Sequence, residues 1–203
     1  MLVKEKFYSL ILFKKKFFFI KFILCFLLTT NLGHADLQKN LINKLIQTKT
    51  LTFNFKQKIA NEEENGTCFI KYPLLMKCNY TSDIRKTLIS NGKTIAIIKK
   101  KYKKIYYYPI KSTPLFIILD KKKVLNLIKN NNPSKIDLDI IEFEFNDKKL
   151  NKLKIFFDKN TFELNGWETK DAYSNNVIFE INDIKSNNQI VDDFFKIPKE
   201  NDL

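Results

Sequence analysis

From Leu51 onward the chain consists mainly of short segments in which apolar and polar residues alternate, and this pattern restricts the fold most strongly. The segment LTFNFKQKI, for example, places Leu51, Phe53 and Phe55 at alternate positions, as on one face of a strand. Asn, Asp, Gly, Pro or Lys separate the segments, and Asn91-Gly92 is a strong hairpin signal. Roughly eight to ten antiparallel strands are therefore predicted, in a curved sheet or a partly closed barrel.

Two helical patterns interrupt the strands. Before the first strand, apolar residues recur at helical spacing from Leu37 to Ile46. In the middle of the series, Thr113 is expected to cap a helix whose first turn holds Pro114 and which continues with the apolar row LFIIL. Strands that curl around such a helix leave an apolar concavity. The helix either fills it permanently as core or covers it as a lid, and periodicity alone leaves both open.

The N terminus has the pattern of a secretory signal peptide. Six lysines lie among residues 4–21, the apolar run FILCFLL follows, and Gly33 and Ala35 offer small residues at the cleavage site. The apolar stretch is too short for a membrane span, which needs about 20 residues. We therefore expect cleavage after Ala35, which removes residues 1–35 and leaves residues 36–203 as a single domain.

The basic charge does not by itself predict a nucleic-acid partner. The whole chain has a formal net charge of +14, and removing six lysines and one glutamate with residues 1–35 leaves 30 basic and 21 acidic residues, or +9. Such an excess suits nucleic acid or an acidic membrane surface. However, Lys, Asn and Ile are abundant throughout, the lysine runs at 99–101 and 121–123 are typical of solvated faces, and an exported protein meets little nucleic acid.

The residues needed for common catalytic sites are scarce. The single histidine, His34, is expected to leave with the signal peptide, which excludes Ser-His-Asp and Cys-His arrangements and histidine-ligated zinc in the mature chain. Four glycines are too few for a glycine-rich phosphate loop. Asp137 and Asp139 are two residues apart, as are Glu142 and Glu144; all four are expected on the wet side of one strand, without opposing carboxylates for glycosidase chemistry. We predict no enzyme activity, no cofactor and no metal.

Cys68 and Cys78 flank a predicted hairpin in GTCFIKYPLLMKCNY. Counting outward from Pro73 sets the two cysteines opposite each other. Directly opposed residues of a non-hydrogen-bonded antiparallel pair lie within disulfide range, and an oxidising compartment favours the bond. The alternative is two buried free thiols packed as small apolar residues.

Patterns spread over most of the predicted mature chain resemble those of LolA, a family of periplasmic carriers that take lipoproteins from the inner to the outer membrane. They follow the family's order along the chain. The matching segments are FKQ at 55–57, GTCFIKYP at 66–73, SNGKT at 90–94, TPL at 113–115, LNGW at 164–167 and FFKIP at 194–198.

The resemblance implies a mostly β (α+β) fold, an unclosed and strongly curved antiparallel β-barrel or half-barrel with an N-terminal helix and a helical lid on its concave face. It also implies that acyl chains enter between sheet and lid. The expected lipid-binding cleft comprises Phe53, Phe55, Ile70, Tyr72, Met76, Tyr80, Leu115, Ile118 and Leu119. The expected lid helix comprises Thr113, Pro114, Leu115, Phe116, Ile118 and Leu119.

The implied partners are lipoproteins, bound through their acyl chains, an inner-membrane lipoprotein-releasing ABC transporter and, if present, an outer-membrane lipoprotein acceptor. The protein is expected to be a periplasmic monomer. One departure concerns Tyr72, which stands where the family usually has an arginine that holds the lid shut; a phenol brings no charge and no fork of donors. Two alternatives remain: a periplasmic lipid- or lipoprotein-sensing module of the same fold, and a structural β-protein with a solid core.

Overall fold

The computed structural model describes residues 32–147, 151–171 and 173–203. The chain divides into two compact units, Met1–Lys39 and Asn40–Leu203, and every described strand belongs to the second. The basic and apolar parts of the predicted signal peptide lie outside the described residues, and the predicted cleavage point after Ala35 falls within the first helix. Within the described ranges, no helix is long and apolar enough to cross a membrane.

Three α-helices form in the described chain. Helix α1 spans Leu32–Gln47, α2 spans Leu115–Leu119 and α3 spans Lys121–Asn130. Asp120 separates α2 from α3: its backbone is extended, and its carboxylate accepts from the Lys122 and Lys123 N–H groups. An aspartate in this position satisfies the free N–H groups at the start of α3, which is why the apolar row and the lysine-rich segment form two helices.

Eleven strands form one antiparallel sheet in the described chain. The sheet is unclosed, because its order β6-β5-β4-β3-β2-β1-β11-β10-β9-β8-β7 leaves β6 and β7 as edges. Register shifts in the pairings of β1 with β11 and of β9 with β10 mark bulges, which increase the local bend. The strands are β1 Thr50–Ile59, β2 Glu62–Lys71, β3 Leu75–Tyr80, β4 Lys86–Asn91, β5 Thr94–Lys99, β6 Lys104–Pro109, β7 Lys135–Ile136, β8 Ile140–Asp147, β9 Asn151–Asp158, β10 Leu164–Lys170 and β11 Asn176–Ser186.

Different parts of the chain pack on the two faces of the β2–β5 region. The face that carries Cys68, Met76 and Cys78 is called the inner face here, and the opposite one the outer face. On the outer face Phe69 meets Phe194 edge to face, with ring centroids 4.9 Å apart. A small core forms there, in which Ile197 and Leu203 of the C-terminal segment pack against Ile89, Ala96, Ile98 and Ile105.

The predicted fold class, a mostly antiparallel, unclosed and curved sheet with few helices, is confirmed. The series of short strands in the sequence predicts DDFFKIP, residues 192–198, as a last strand, and this prediction is wrong. Asp192–Phe195 forms a 3₁₀ turn instead, and it reaches the sheet through side chains rather than through ladder hydrogen bonds. Phe195 of this turn is only 1% exposed, so the turn is held against the protein by the burial of an aromatic ring and not by strand pairing.

Candidate functional site

Helix α2 is short, apolar and largely buried. Ile117, Ile118 and Leu119 are buried, whereas Leu115 and Phe116 are half-buried. The expectation that Thr113 caps the helix is wrong. Its hydroxyl donates to the Ile110 carbonyl oxygen (2.9 Å), and α2 begins without a side-chain cap. The hydroxyl instead closes the preceding 3₁₀ turn, Ile110–Ser112.

A cavity of about 140 Å³ lies between α2 and the inner face of the sheet. Pro114, Leu115 and Ile118 line it from the helical side. An engineered apolar cavity of about 150 Å³ holds one benzene-sized molecule, so the space has room for a fragment of a hydrocarbon chain. The sheet side is lined by Gln57, Met76, Cys78, Tyr80, Leu88, Trp167, Thr169, Lys170, Val177 and Phe179.

Stacked aromatic rings form one wall of this cavity. Phe179 stacks on Trp167 with ring centroids 4.1 Å apart and on Phe55 with centroids 4.7 Å apart. Tyr80 meets the Phe55 ring edge to face at 4.9 Å. Gly66, opposite Phe55 in the β1–β2 register, leaves room for that ring, because a Cβ there would overlap the ring and the Asn79 carbonyl oxygen. The rings of this wall therefore come from four strands, β1, β3, β10 and β11.

A disulfide forms part of the wall on β2 and β3. Cys68 and Cys78 face each other in the register, their Cα atoms are 4.1 Å apart, and their sulfur atoms are bonded. Cys78 lines the cavity beside Met76. The bond links two strands directly below α2, where the predicted hairpin lies.

A polar cluster borders the cavity at Tyr80. The Tyr80 hydroxyl donates to Gln57 Oε1 at 3.0 Å, and the Lys86 ammonium lies 3.8 Å from the ring centroid and pairs with Glu64. Burial, and secondarily the charge of Glu64, raises the pKa of Tyr80. The phenol is thus neutral at physiological pH and presents a ring face and one hydrogen-bonded oxygen.

Backbone hydrogen bonds tie α2 to the turn between β2 and β3. The Leu74 N–H donates to the Leu119 carbonyl oxygen at 3.0 Å. The Ser90 hydroxyl in turn donates to the Leu74 carbonyl oxygen at 2.6 Å. The C-terminal end of α2 is therefore linked to β4 through a single turn residue.

A lysine provides the charged contact at this end of the helix pair. The Lys121 ammonium, at the start of α3, donates to the Thr48 carbonyl oxygen at 2.6 Å and to that of Ile46 at 3.3 Å. It also lies 5.5 Å from the centroid of the Tyr72 ring, a cation–π distance. Burial, and secondarily the charge of Lys49, lowers the pKa of Lys121, and burial raises the pKa of Tyr72. The positive charge thus comes from the helical side, and Tyr72 supplies the ring.

The structure brings only part of the predicted cleft to the cavity. Met76, Tyr80, Leu115 and Ile118 line it. The other predicted residues do not line it. Tyr72 is half-buried, and four further residues are buried on the inner face or close to α2: Phe53, Phe55, Ile70 and Leu119. The predicted cleft omitted Trp167 and Phe179, which also line the cavity, although both are conspicuous in the sequence. Trp167 is the single tryptophan, within the LNGW segment, and Phe179 is an apolar residue of an alternating strand.

Of the four acidic residues expected on one strand, Glu142 and Glu144 lie on β8 and form ion pairs across to β9, whereas Asp137 and Asp139 precede β8, so the expectation is wrong for these two. Glu144 pairs with Lys152 at 2.8 Å and Glu142 with Lys154 at 3.4 Å. These contacts join neighbouring strands at the surface, as expected for the wet side of a sheet. Among the residues that the structure describes, no group of three or more His, Cys, Asp or Glu is placed to hold a metal ion.

Comparison with known proteins gives one family and several relatives. The sequence model of the family described as outer membrane lipoprotein carrier protein LolA matches residues 46–198. An outer-membrane lipoprotein carrier protein of Francisella tularensis subsp. tularensis (strain WY96-3418) is 27% identical over 203 residues, covering 90% of this chain and 96% of the relative. One from subsp. novicida (strain U112) is 26% identical with the same coverage. A solved LolA superfamily protein, NE2245 from Nitrosomonas europaea, aligns with 81% of this chain and 97% of its own at 8% identity and a TM-score of 0.44.

Proposed function

Since this chain belongs to the LolA family of outer membrane lipoprotein carrier proteins, we propose that it binds the acyl chains of lipoproteins and carries them from the inner to the outer membrane. The observation that carries the proposal is the cavity between α2 and the inner face, with Leu115 and Ile118 on one side and Trp167 and Phe179 on the other. No step of such transport requires bond chemistry in the carrier.

The size of the cavity indicates how binding proceeds. About 140 Å³ accepts part of an acyl chain, so a complete chain enters only when α2 moves away from the sheet. Burying a chain of sixteen carbons yields roughly 12 kcal/mol at about 0.8 kcal/mol per CH₂, which corresponds to nanomolar binding. A carrier that binds so tightly releases its load slowly.

The buried face of α2 offsets part of that affinity. In the closed state Ile117, Ile118 and Leu119 occupy apolar surface that the acyl chain would otherwise cover. Opening separates these contacts, and the free energy it costs is subtracted from the free energy of lipid binding. The net affinity falls to a range in which hand-over to an acceptor is possible.

The route that this proposal implies begins with export. Residues 1–35 act as a signal peptide, and residues 36–203 work as a single-domain monomer in the periplasm. An ABC transporter of the inner membrane loads the carrier with a lipoprotein, and an outer-membrane acceptor, where present, unloads it. Mass spectrometry of the periplasmic protein tests the first step and is expected to find Asp36 at the N terminus.

The decisive experiment measures release of a lipoprotein from inner-membrane vesicles. Vesicles that contain the transporter and a labelled lipoprotein, supplied with ATP, are incubated with the purified mature chain. We expect the label in the soluble fraction, bound to the carrier. Leu115→Trp, which fills the cavity, should reduce release, whereas Phe116→Trp, on the same helix but outside the cavity lining, serves as the matched control.

Two results would redirect the proposal. Failure of a fluorescent fatty-acid probe to bind would support a solid core. Probe binding with defined stoichiometry but without lipoprotein release would support a lipid-sensing module instead.

A further inference from the structure

The edge of the sheet next to α2 carries a cluster of exposed tyrosines. Tyr102, Tyr106, Tyr107 and Tyr108 are 56%, 45%, 54% and 45% exposed. They supply half of the eight large apolar or aromatic side chains that are strongly exposed in the described chain. Tyr102 lies in the turn before β6 and the others on β6 itself, so the tyrosines share one edge.

Lysines lie close to these tyrosines along the chain. Residues 92–119 contain seven lysines and no acidic residue, and six of the lysines lie at positions 99, 100, 101, 103, 104 and 111. Among the described residues, none of these six forms an ion pair, although eight lysines elsewhere do. The Lys99 ammonium lies 5.5 Å from the Tyr106 ring centroid. The tyrosines and these six lysines are called the Tyr/Lys edge below.

The backbone of β6 is poorly suited to pairing with a further strand. The Ile105 N–H is already occupied, since it donates to Glu200 Oε1 at 3.0 Å. Pro109 at the end of the strand has no N–H to offer. The surface is therefore one of side chains, rings with polar tips among ammonium groups.

We propose that the Tyr/Lys edge docks the protein on an anionic phospholipid bilayer. Tyrosine rings favour the membrane–water interface, where the ring is apolar and the hydroxyl remains hydrated. Lysines close to an anionic surface each add attraction that decays within a Debye length. The combination fits a charged lipid surface better than a neutral one.

The position of this edge places the membrane near α2. Tyr106 and Tyr108 pair with Ile97 and Ile95 and so lie on the inner face, the same face as the cavity. The chain passes from Pro109 through the 3₁₀ turn Ile110–Ser112 directly into α2. Docking through the edge would hold α2 close to the lipid headgroups. The inference concerns a surface separate from the cavity, so its test does not depend on acyl-chain carriage.

The test is co-sedimentation of the mature chain with vesicles of phosphatidylcholine alone or with about one-third phosphatidylglycerol. We expect binding to the anionic vesicles at low salt and its loss at high salt. Lys101→Gln/Lys104→Gln should weaken the partition by about 30-fold, from the usual contribution of two lysines near an anionic surface. The control Lys129→Gln/Lys185→Gln removes the same charge from exposed sites on α3 and β11 and should change it by much less.

A second pair of variants places a fluorescent ring at one position of the edge and at one control position. Tyr107→Trp should show a blue-shifted emission and quenching by brominated lipid on binding, whereas Tyr173→Trp, at an 87% exposed site on another loop, should not. Equal weakening in both lysine variants would mean that only net charge matters and would overturn the proposal. Binding that depends on the edge in protein-containing membranes but is absent with pure lipid would also overturn it, because the surface would then belong to a protein partner.

Discussion

Lys121 shows how one side chain connects three parts of the site. Its ammonium contacts two carbonyl oxygens at the end of α1 and the ring of Tyr72. Hydrogen bonds from charged groups contribute about 1.5–3 kcal/mol. Partial burial, which lowers the pKa of Lys121, offsets some of this gain. The family that the sequence resembles usually has an arginine at the position of Tyr72. In this chain the positive charge next to that position is the Lys121 ammonium, which comes from the helical side.

Replacing Lys121 by Met should therefore loosen the closed state while keeping the apolar stem. We expect a loss of about 1 kcal/mol in the free energy of unfolding and faster uptake of a fluorescent fatty-acid probe, measured by stopped flow. Lys122→Met is the matched control, since Lys122 is exposed and its described contact is made by its backbone N–H. Identical uptake rates in the two variants would show that Lys121 does not hold α2 closed.

The hairpin of β2 and β3 is the element that sequence spacing predicts best. Cysteines at positions 68 and 78 around Pro73 are necessarily opposite if the strands pair regularly, and the register agrees. By contrast, no local pattern indicates that Trp167 and Phe179 face α2. They come from β10 and β11, and only the complete sheet order brings them to β3. The break at Asp120 was likewise hidden, because LFIILDKKKVLNLIKN has no interior Gly or Pro to end a helix.

Removing the disulfide should destabilise the protein without removing the fold. The bond joins residues ten apart, and the loop-entropy estimate for such a loop is about 2–3 kcal/mol. Cys68→Ala/Cys78→Ala should lower the free energy of unfolding by about that amount in urea titrations. Reductant should lower the stability of the wild type similarly and leave the variant unchanged. If reductant has no effect on the wild type, the bond does not contribute.

Helix α2 should separate from the sheet when its buried face is charged. In Ile118→Asp a carboxylate replaces a side chain that is 2% exposed, at a cost of several kcal/mol. Because α2 is a short covering element, we expect the sheet to remain folded by circular dichroism while a hydrophobic dye binds and lipid binding falls. Ile155→Asp, in the middle of β9 and outside the cavity lining, provides the comparison in which the whole fold is lost. Cooperative unfolding of both variants alike, without a dye-binding state, would favour a solid core.

At the scale of the whole molecule, the unclosed sheet separates two tasks between its faces. The inner face holds the cavity and the helix that covers it. The outer face is filled by the C-terminal segment, whose Phe195 is buried and whose Phe194 lies under the Lys77 ammonium at 4.2 Å. If α2 moves away from the inner face, the sheet itself has to stay folded. The packing on the outer face supplies stability that does not depend on α2.

This division predicts that stability and lipid binding can be changed separately. Phe195→Ala removes a fully buried ring that does not line the cavity and should lower the free energy of unfolding by about 3–5 kcal/mol. The probe affinity of the folded variant should remain that of the wild type, measured well below its melting temperature. Val191→Ala, next to the same turn but 72% exposed, should change neither quantity.

Bound ligand should still raise the melting temperature of Phe195→Ala as it does that of the wild type, since the increase depends on ligand concentration relative to Kd. A large loss of affinity in this variant would show instead that the two faces are coupled, and that packing beneath the sheet helps to set how readily α2 opens.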